Sequence, residues 1–262
     1  MAAELESLAV DLVTGAATLI RERGSTDLAV SSKSTATDLV TQVDRDIEAW
    51  LVEHLRAARA HDAILGEEGG PSGSGSVRWL IDPIDGTVNY ILGIPQFAVS
   101  LAAELDGTVV AGAVVNPTSG DLFRAHLGGG AWLAERRLHA RRDVPLERAV
   151  IGTGFGYDAA LRARQGAIVA ALLPQVSDIR RIGSASLDLC STAAGRLDGY
   201  FEAGLSPWDY AAGALIAAEA GCLVTGLHGR AASPRFLAAA GTSLAADFFA
   251  LLESLGADAV TA

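Results

Sequence analysis

The segment Trp79-Leu80-Ile81-Asp82-Pro83-Ile84-Asp85-Gly86-Thr87 ends an apolar run in two carboxylates three residues apart. Pro83 and Gly86 favour a turn, so a strand here would deliver both acids, a hydroxyl and free backbone groups to its end. That donor set suits a hard cation, because Mg²⁺ takes oxygen ligands and keeps part of its shell for water and substrate phosphate. Asp, Pro and Gly are also ordinary turn residues, so an Asp-x-x-Asp pair alone reads as a solvated turn. The full string of residues 82–87 is far rarer. At roughly 5 to 10% usage per position it arises by chance about once in a million windows or fewer.

Four further motifs occur in order along the chain. They are Lys33-Ser34-Thr35-Ala36-Thr37-Asp38-Leu39-Val40-Thr41-Gln42-Val43-Asp44, Gly66-Glu67-Glu68, Gly183-Ser184-Ala185-Ser186 and Trp208-Asp209-Tyr210-Ala211-Ala212-Gly213. With residues 82–87 they resemble the segments of the inositol monophosphatase family, and the resemblance covers nearly the whole chain. It implies a magnesium-dependent, lithium-sensitive phosphomonoesterase holding two or three ions. Carried onto this sequence, Glu67, Asp82 and the Ile84 carbonyl would bind a first metal. Asp82, Asp85 and Asp209 would bind a second, and Asp44 a weaker third through water. Five acids converging on one cleft would repel one another unless cations neutralised them, which agrees with that assignment.

The implied chemistry is in-line attack on phosphorus by a metal-activated water, with a second metal stabilising the leaving oxygen. Glu67 and the Thr87/Asp44 pair are the candidates for orienting and deprotonating that water. Gly86 and Thr87 are expected to open a helix whose free N–H groups hold phosphate. Substrate contacts would come from Asp85, Gly86, Thr87, Ser184, Ala185, Glu202 and Asp209. The segment Tyr200-Phe201-Glu202-Ala203-Gly204 resembles the one whose Glu contacts inositol hydroxyls, which favours inositol monophosphate. Ser206-Pro207 before Trp208 keeps histidinol phosphate open, and other sugar or nucleotide phosphates are handled on similar sites in the family. Asp209 also reads as an ordinary helix cap, worth about 1 kcal/mol, and both roles can hold.

These side chains must be positioned by the surrounding elements. Apolar periodicity predicts amphipathic helices over 5–23 and 44–60, then strands over 63–65, 77–81, 98–105, 109–115 and 121–125. Asp106-Gly107 is a hairpin signal, and the Gly/Ser-rich stretch 69–76 reads as a mobile surface loop. Past residue 149 strands alternate with helices over 159–173, 186–194, 209–220 and 244–255. The expectation is an α+β half (1–148) carrying most metal ligands and an α/β half (149–262) carrying Asp209 and the pocket wall. The resemblance implies one compact αβαβα sandwich of the inositol monophosphatase / fructose-1,6-bisphosphatase type, commonly dimeric.

Composition bounds the alternatives. The 262 residues carry a net charge of −11, which argues against a broad nucleic-acid surface; the resemblance implies a small phosphate ester as the partner. The first twenty residues mix Glu4, Glu6 and Asp11 with apolar positions, unlike a secretory signal, and no apolar stretch suits a membrane span, so a cytoplasmic protein is expected. Cys190 and Cys222 read as buried free thiols in helix-like surroundings. The histidines show no ligand spacing, and no G-x-S-x-G or G-x-G-x-x-G string occurs. Arg136, Arg137, Arg141, Arg142 and Arg148 form a basic run that reads as a solvated hairpin edge, or, for a non-enzyme, as a dock for an anionic partner.

Overall fold

The structure, a computed structural model, describes residues 1–23, 30–32 and 39–260. Lys33 and Asp38 of the first motif lie outside the described residues. Helix α1 spans Ala2–Arg23, and a short antiparallel pair follows, β1 (Val30–Ser32) with β2 (Leu39–Thr41). Helix α2 is Gln42–Ala58. It starts two residues before the expected boundary because Thr41 caps it, in a reciprocal capping box with Asp44.

The next strands are β3 (Ala63–Gly66), β4 (Gly70–Ser72) and β5 (Val77–Asp85), then helix α3 (Thr87–Leu92). After it come β6 (Ala98–Leu105), β7 (Thr108–Val115), β8 (Leu122–His126), β9 (Gly130–Leu133) and β10 (Arg136–Arg137). They form one sheet in the order β10-β9-β8-β7-β6-β5-β3-β4, with β3 parallel to β5 and the other neighbours antiparallel. Asp106 (φ 49°) and Gly107 (φ 83°) turn β6 into β7, as the hairpin signal predicts. The stretch 69–76 differs from its expected loop, since Gly70–Ser72 pairs with β3 as an edge strand. The pair Arg136–Arg137 forms the opposite edge and is exposed, where charge discourages edge-to-edge association.

The second half contributes β11 (Val150–Thr153), α4 (Ala159–Leu172), β12 (Asp178–Arg180), α5 (Ala185–Ala193) and β13 (Gly199–Glu202). Helix α6 (Pro207–Glu219), β14 (Cys222–Thr225), β15 (Leu237–Gly241) and α7 (Thr242–Ser254) complete it. Its sheet runs β12-β11-β13-β15-β14, with parallel pairing on both sides of β11 and antiparallel pairing beyond β13.

Three apolar cores define five layers. Leu5, Ile20 and Leu51 of α1 and α2 pack on Trp79 and Ile81. Leu80, on the opposite face of β5, joins Leu189 of α5, Ile216 of α6 and Tyr200 of β13. Phe201, on the other face of β13, packs with Leu172 and Phe248 of α4 and α7. Alternation along β5 and β13 therefore assigns neighbouring residues to different cores, and the order is helix, sheet, helix, sheet, helix. Helices α5 and α6 from the second half bury their apolar faces against the first-half sheet, so the middle core is shared. Both cysteines are buried and free; Cys222 begins strand β14, not the helix-like segment expected. No helix among the described residues is long and apolar enough to cross a membrane.

Candidate active site

Strand β5 runs four residues past its expected end and carries Asp82 and Asp85 to the rim of the first-half sheet. Pro83 does not turn the chain. Its pairing with β6 breaks between Asp82 and Asp85, a bulge that accommodates a residue with no N–H to donate. The turn comes at Gly86, at φ +98°, where a Cβ would stand 3.0 Å from the Gly183 carbonyl oxygen. Only glycine suits that conformation and that approach. Thr87 then opens α3, as the sequence predicts.

Parallel pairing of β3 with β5 sets Glu67 beside Asp82, its backbone N–H donating to the Ile81 carbonyl at 3.2 Å. Asp209 arrives from the other half. Its helix begins at Pro207, with Ser206 as cap, so Asp209 is the third helical residue and completes a capping box, its Oδ2 accepting from Ser206 N at 2.7 Å. The sequence expectation placed Asp209 at the helix start itself. Asp85 faces the first turn of α5, where it accepts from Ser184 Oγ at 2.7 Å, Ala185 N at 3.2 Å, Ser186 N at 2.7 Å and the Ser186 hydroxyl.

These groups line one cleft of about 520 Å³ between the two sheets. Glu67, Asp82, Ile84, Asp85, Gly86, Thr87, Ser184, Ala185, Glu202 and Asp209 all border it. Asp44 does not. It is fully buried behind Thr87, its Oδ1 taking a 3.1 Å hydrogen bond from the Thr87 hydroxyl and its Oδ2 held by Thr41. Among the described residues no group of three or more His, Cys, Asp or Glu side chains is placed to hold a metal ion as it stands. The acids border an open cleft, as a site that shares its shell with water and substrate requires.

Charge in this cleft is poorly balanced. Burial pushes the Asp82 carboxyl well above its ordinary range, reinforced by the negative charges of Glu67, Asp85 and Asp209. Burial and then Asp85 do the same to Asp209. Asp85 is raised by burial against the pull of its own hydrogen-bond donors. Oxygen donors carrying excess negative charge suit a divalent cation.

Glu202, at the end of β13, also lines the cleft. Burial raises its pKa to about 7, against a hydrogen bond from the Tyr200 hydroxyl and the nearby Arg181 guanidinium. A Cβ on Gly154 would meet the Glu202 carboxylate at 2.0 Å, so glycine there leaves the acid its place. Sequence reasoning missed three neighbours. Asp188, one helical turn beyond Ser184, is buried on the cleft wall, and burial with the charge of Glu202 raises its pKa. Tyr200 shares a strand face with Glu202, and Arg181 is the basic side chain among the lining residues. The two-residue spacing of Tyr200 and Glu202 and the four-residue spacing of Ser184 and Asp188 were the available signals.

The family model described as "Inositol monophosphatase family" matches residues 1–258. The chain belongs to the inositol monophosphatase family. This member is a phosphoric monoester hydrolase, and its αβαβα layering is the family's fold. It shares 47% identity over 242 residues with the inositol-1-monophosphatase SuhB of Mycobacterium tuberculosis strain H37Rv, covering 85% of this chain and 83% of that protein. With the putative Nus factor SuhB of Neisseria meningitidis serogroup B it shares 40% over 233 residues, 84% and 89% of the two chains. The crystal structure of the extragenic suppressor protein suhB of Bartonella henselae superposes with a TM-score of 0.89 at 36% identity, covering 94% and 97%.

Proposed function

We propose that this cleft hydrolyses inositol monophosphate to inositol and phosphate with Mg²⁺, held by Glu67, Asp82, the Ile84 carbonyl, Asp85 and Asp209. The observation that supports this reading is the convergence of four carboxylates from both halves on one cleft that the Glu202 carboxyl also lines. The bound metal supplies Lewis-acid stabilisation of the phosphate oxygens and lowers the pKa of a water. Two or three ions would suit the donors, and Asp44 is the residue that would serve a third, more weakly held one.

The chain's residues supply position and proton acceptance. The Thr87 hydroxyl has two inward acceptors, Asp44 Oδ1 at 3.1 Å and the Ile84 carbonyl at 3.0 Å. Its single proton is thereby directed inward, and its oxygen is left to accept from a water in the cleft. Glu67 is the other acceptor within the same cleft, and the two share the work of orienting and deprotonating the nucleophile. Backbone N–H groups around Gly86 and Thr87 face the phosphate, and Asp85, Ser184, Ala185, Glu202 and Asp209 contact the substrate. Glu202 accepts hydrogen bonds from the ring hydroxyls.

One observation favours a second reading. Asp188 and Glu202 make the distal wall acidic, which also suits a substrate carrying an amine, such as histidinol phosphate. A substrate panel decides between them. Phosphate release from inositol monophosphate at a kcat/KM well above that for histidinol phosphate, fructose bisphosphate and 3′-phosphoadenosine phosphates supports the first reading, and the reverse order with histidinol phosphate supports the second. The protein acts on a small molecule, with no nucleic-acid or membrane surface needed, as a cytoplasmic homodimer; light scattering that gave a clean monomer at micromolar concentration would remove the last part.

A further inference from the structure

Asp85 receives an uneven set of hydrogen bonds. Its Oδ2 accepts from Ser184 Oγ at 2.7 Å, from Ser186 N at 2.7 Å and from the Ser186 hydroxyl, whereas its Oδ1 has, among the described residues, a single donor, Ala185 N, at 3.2 Å. Three donors saturate one carboxylate oxygen and leave the other with acceptor capacity to spare. Ser186 supplies two of the three. Its side chain is fully buried, so water does not replace the hydroxyl. Ser184 has a separate duty as the α5 cap, its oxygen accepting from Leu187 N at 3.4 Å.

We infer that Ser186 is a positioning residue: by engaging Oδ2 through both its N–H and its hydroxyl, it presents Asp85 Oδ1 to the cleft as a single-oxygen ligand. The inference rests on the metal reading of the cleft. It adds a residue that borders neither the cleft nor any bound group and acts through Asp85 alone. Groups that orient a metal-binding carboxylate in this way set metal affinity, and losing one typically costs about 10- to 100-fold. Removing the hydroxyl leaves the Ser186 N–H in place, so the carboxylate keeps its location but gains freedom to turn Oδ2 outward.

The test is calorimetric titration of Mg²⁺ into chelator-stripped wild type, Ser186→Ala and Ser186→Thr, with the metal-free melting temperature of each. Ser186→Ala is expected to bind Mg²⁺ about 10- to 100-fold more weakly. Its KM for substrate and its kcat at saturating Mg²⁺ stay near wild type, and Ser186→Thr restores affinity because it restores the donor. Equal Mg²⁺ affinity in wild type and Ser186→Ala, with any change confined to the melting temperature, would overturn the inference, whatever Ser186→Thr does. No uptake of Mg²⁺ by the wild type would sink the metal reading itself, and this inference with it.

Discussion

Asp85, at the end of a strand of the first-half sheet, accepts a 2.7 Å hydrogen bond from the hydroxyl of Ser184, which caps a helix of the second half. The carboxylate proposed as a metal ligand is thus also a latch between the halves. Among the described residues Asp209 makes no such link, its hydrogen-bond partner Ser206 being the cap of its own helix. Two acids with the same assigned role therefore differ in what the fold asks of them.

Replacing Asp209 with Asn is expected to abolish Mg²⁺-dependent turnover while leaving the metal-free chain as stable or more stable. The amide oxygen can still accept from Ser206 N, and one repulsive charge is gone. Asp85→Asn should lose turnover as well but should destabilise the metal-free chain, on the order of 1 to 3 kcal/mol. Its amide NH₂ would face donors, leaving buried groups unsatisfied. Denaturant unfolding with chelator and steady-state kinetics check both; near-normal rates for either variant at saturating Mg²⁺ would remove that residue from the ligand set.

Glu202→Ala tests the substrate. If the carboxylate accepts from ring hydroxyls, kcat/KM for inositol phosphate falls roughly 10- to 150-fold, and that for 4-nitrophenyl phosphate, which lacks those hydroxyls, falls much less. Equal losses on both would point to general disturbance of the site, and no loss on either would leave Glu202 without a role.

Stability should depend on pH in a definite direction. A carboxyl whose pKa is raised in the fold contributes fully below its unfolded value and loses that contribution as pH rises through the folded value. For Glu202 the window is from 4.5 to about 7, and Asp82, Asp85 and Asp209 are raised in the same sense. The metal-free melting temperature is expected to fall across that window, with Glu202 contributing at most about 3 kcal/mol. Glu202→Gln should flatten the fall, and Mg²⁺ should raise the melting temperature more at pH 8 than at pH 5. A metal-free stability that rises with pH over this range would contradict the electrostatic picture.

Lithium should inhibit, because a small hard monovalent cation can replace a loosely held Mg²⁺ among oxygen ligands. Activity unchanged at Li⁺ on the order of tens of millimolar would remove this expectation without touching the hydrolase assignment.

Much of the cleft was legible because its chemistry is written in short strings. Residues 82–87 state two acids, a bulge-forming proline, a required glycine and a hydroxyl within one turn of chain. The start of α2 was misplaced by two residues, because periodicity put it at Asp44 and the capping box at Thr41 was not foreseen. The rest depends on where distant segments meet. Asp44 sits in the same motif as Thr41, yet Thr87 stands between it and the cleft, where the Thr87 hydroxyl donates to Asp44 Oδ1. Ser186 was visible only as the last residue of the motif 183–186 and Asp188 only by its spacing from Ser184; what each does appears once α5 is docked against Asp85 and Glu202. Gly70–Ser72 became a strand only because β3 offered it an edge, which composition alone does not reveal.

The most direct test of the account is phosphate release from inositol monophosphate by chelator-stripped protein before and after Mg²⁺ is restored. The account predicts no release before, and a kcat/KM on the order of 10⁴ M⁻¹s⁻¹ or more after. Release undiminished by chelator, or none from any phosphate monoester at saturating Mg²⁺, would contradict it.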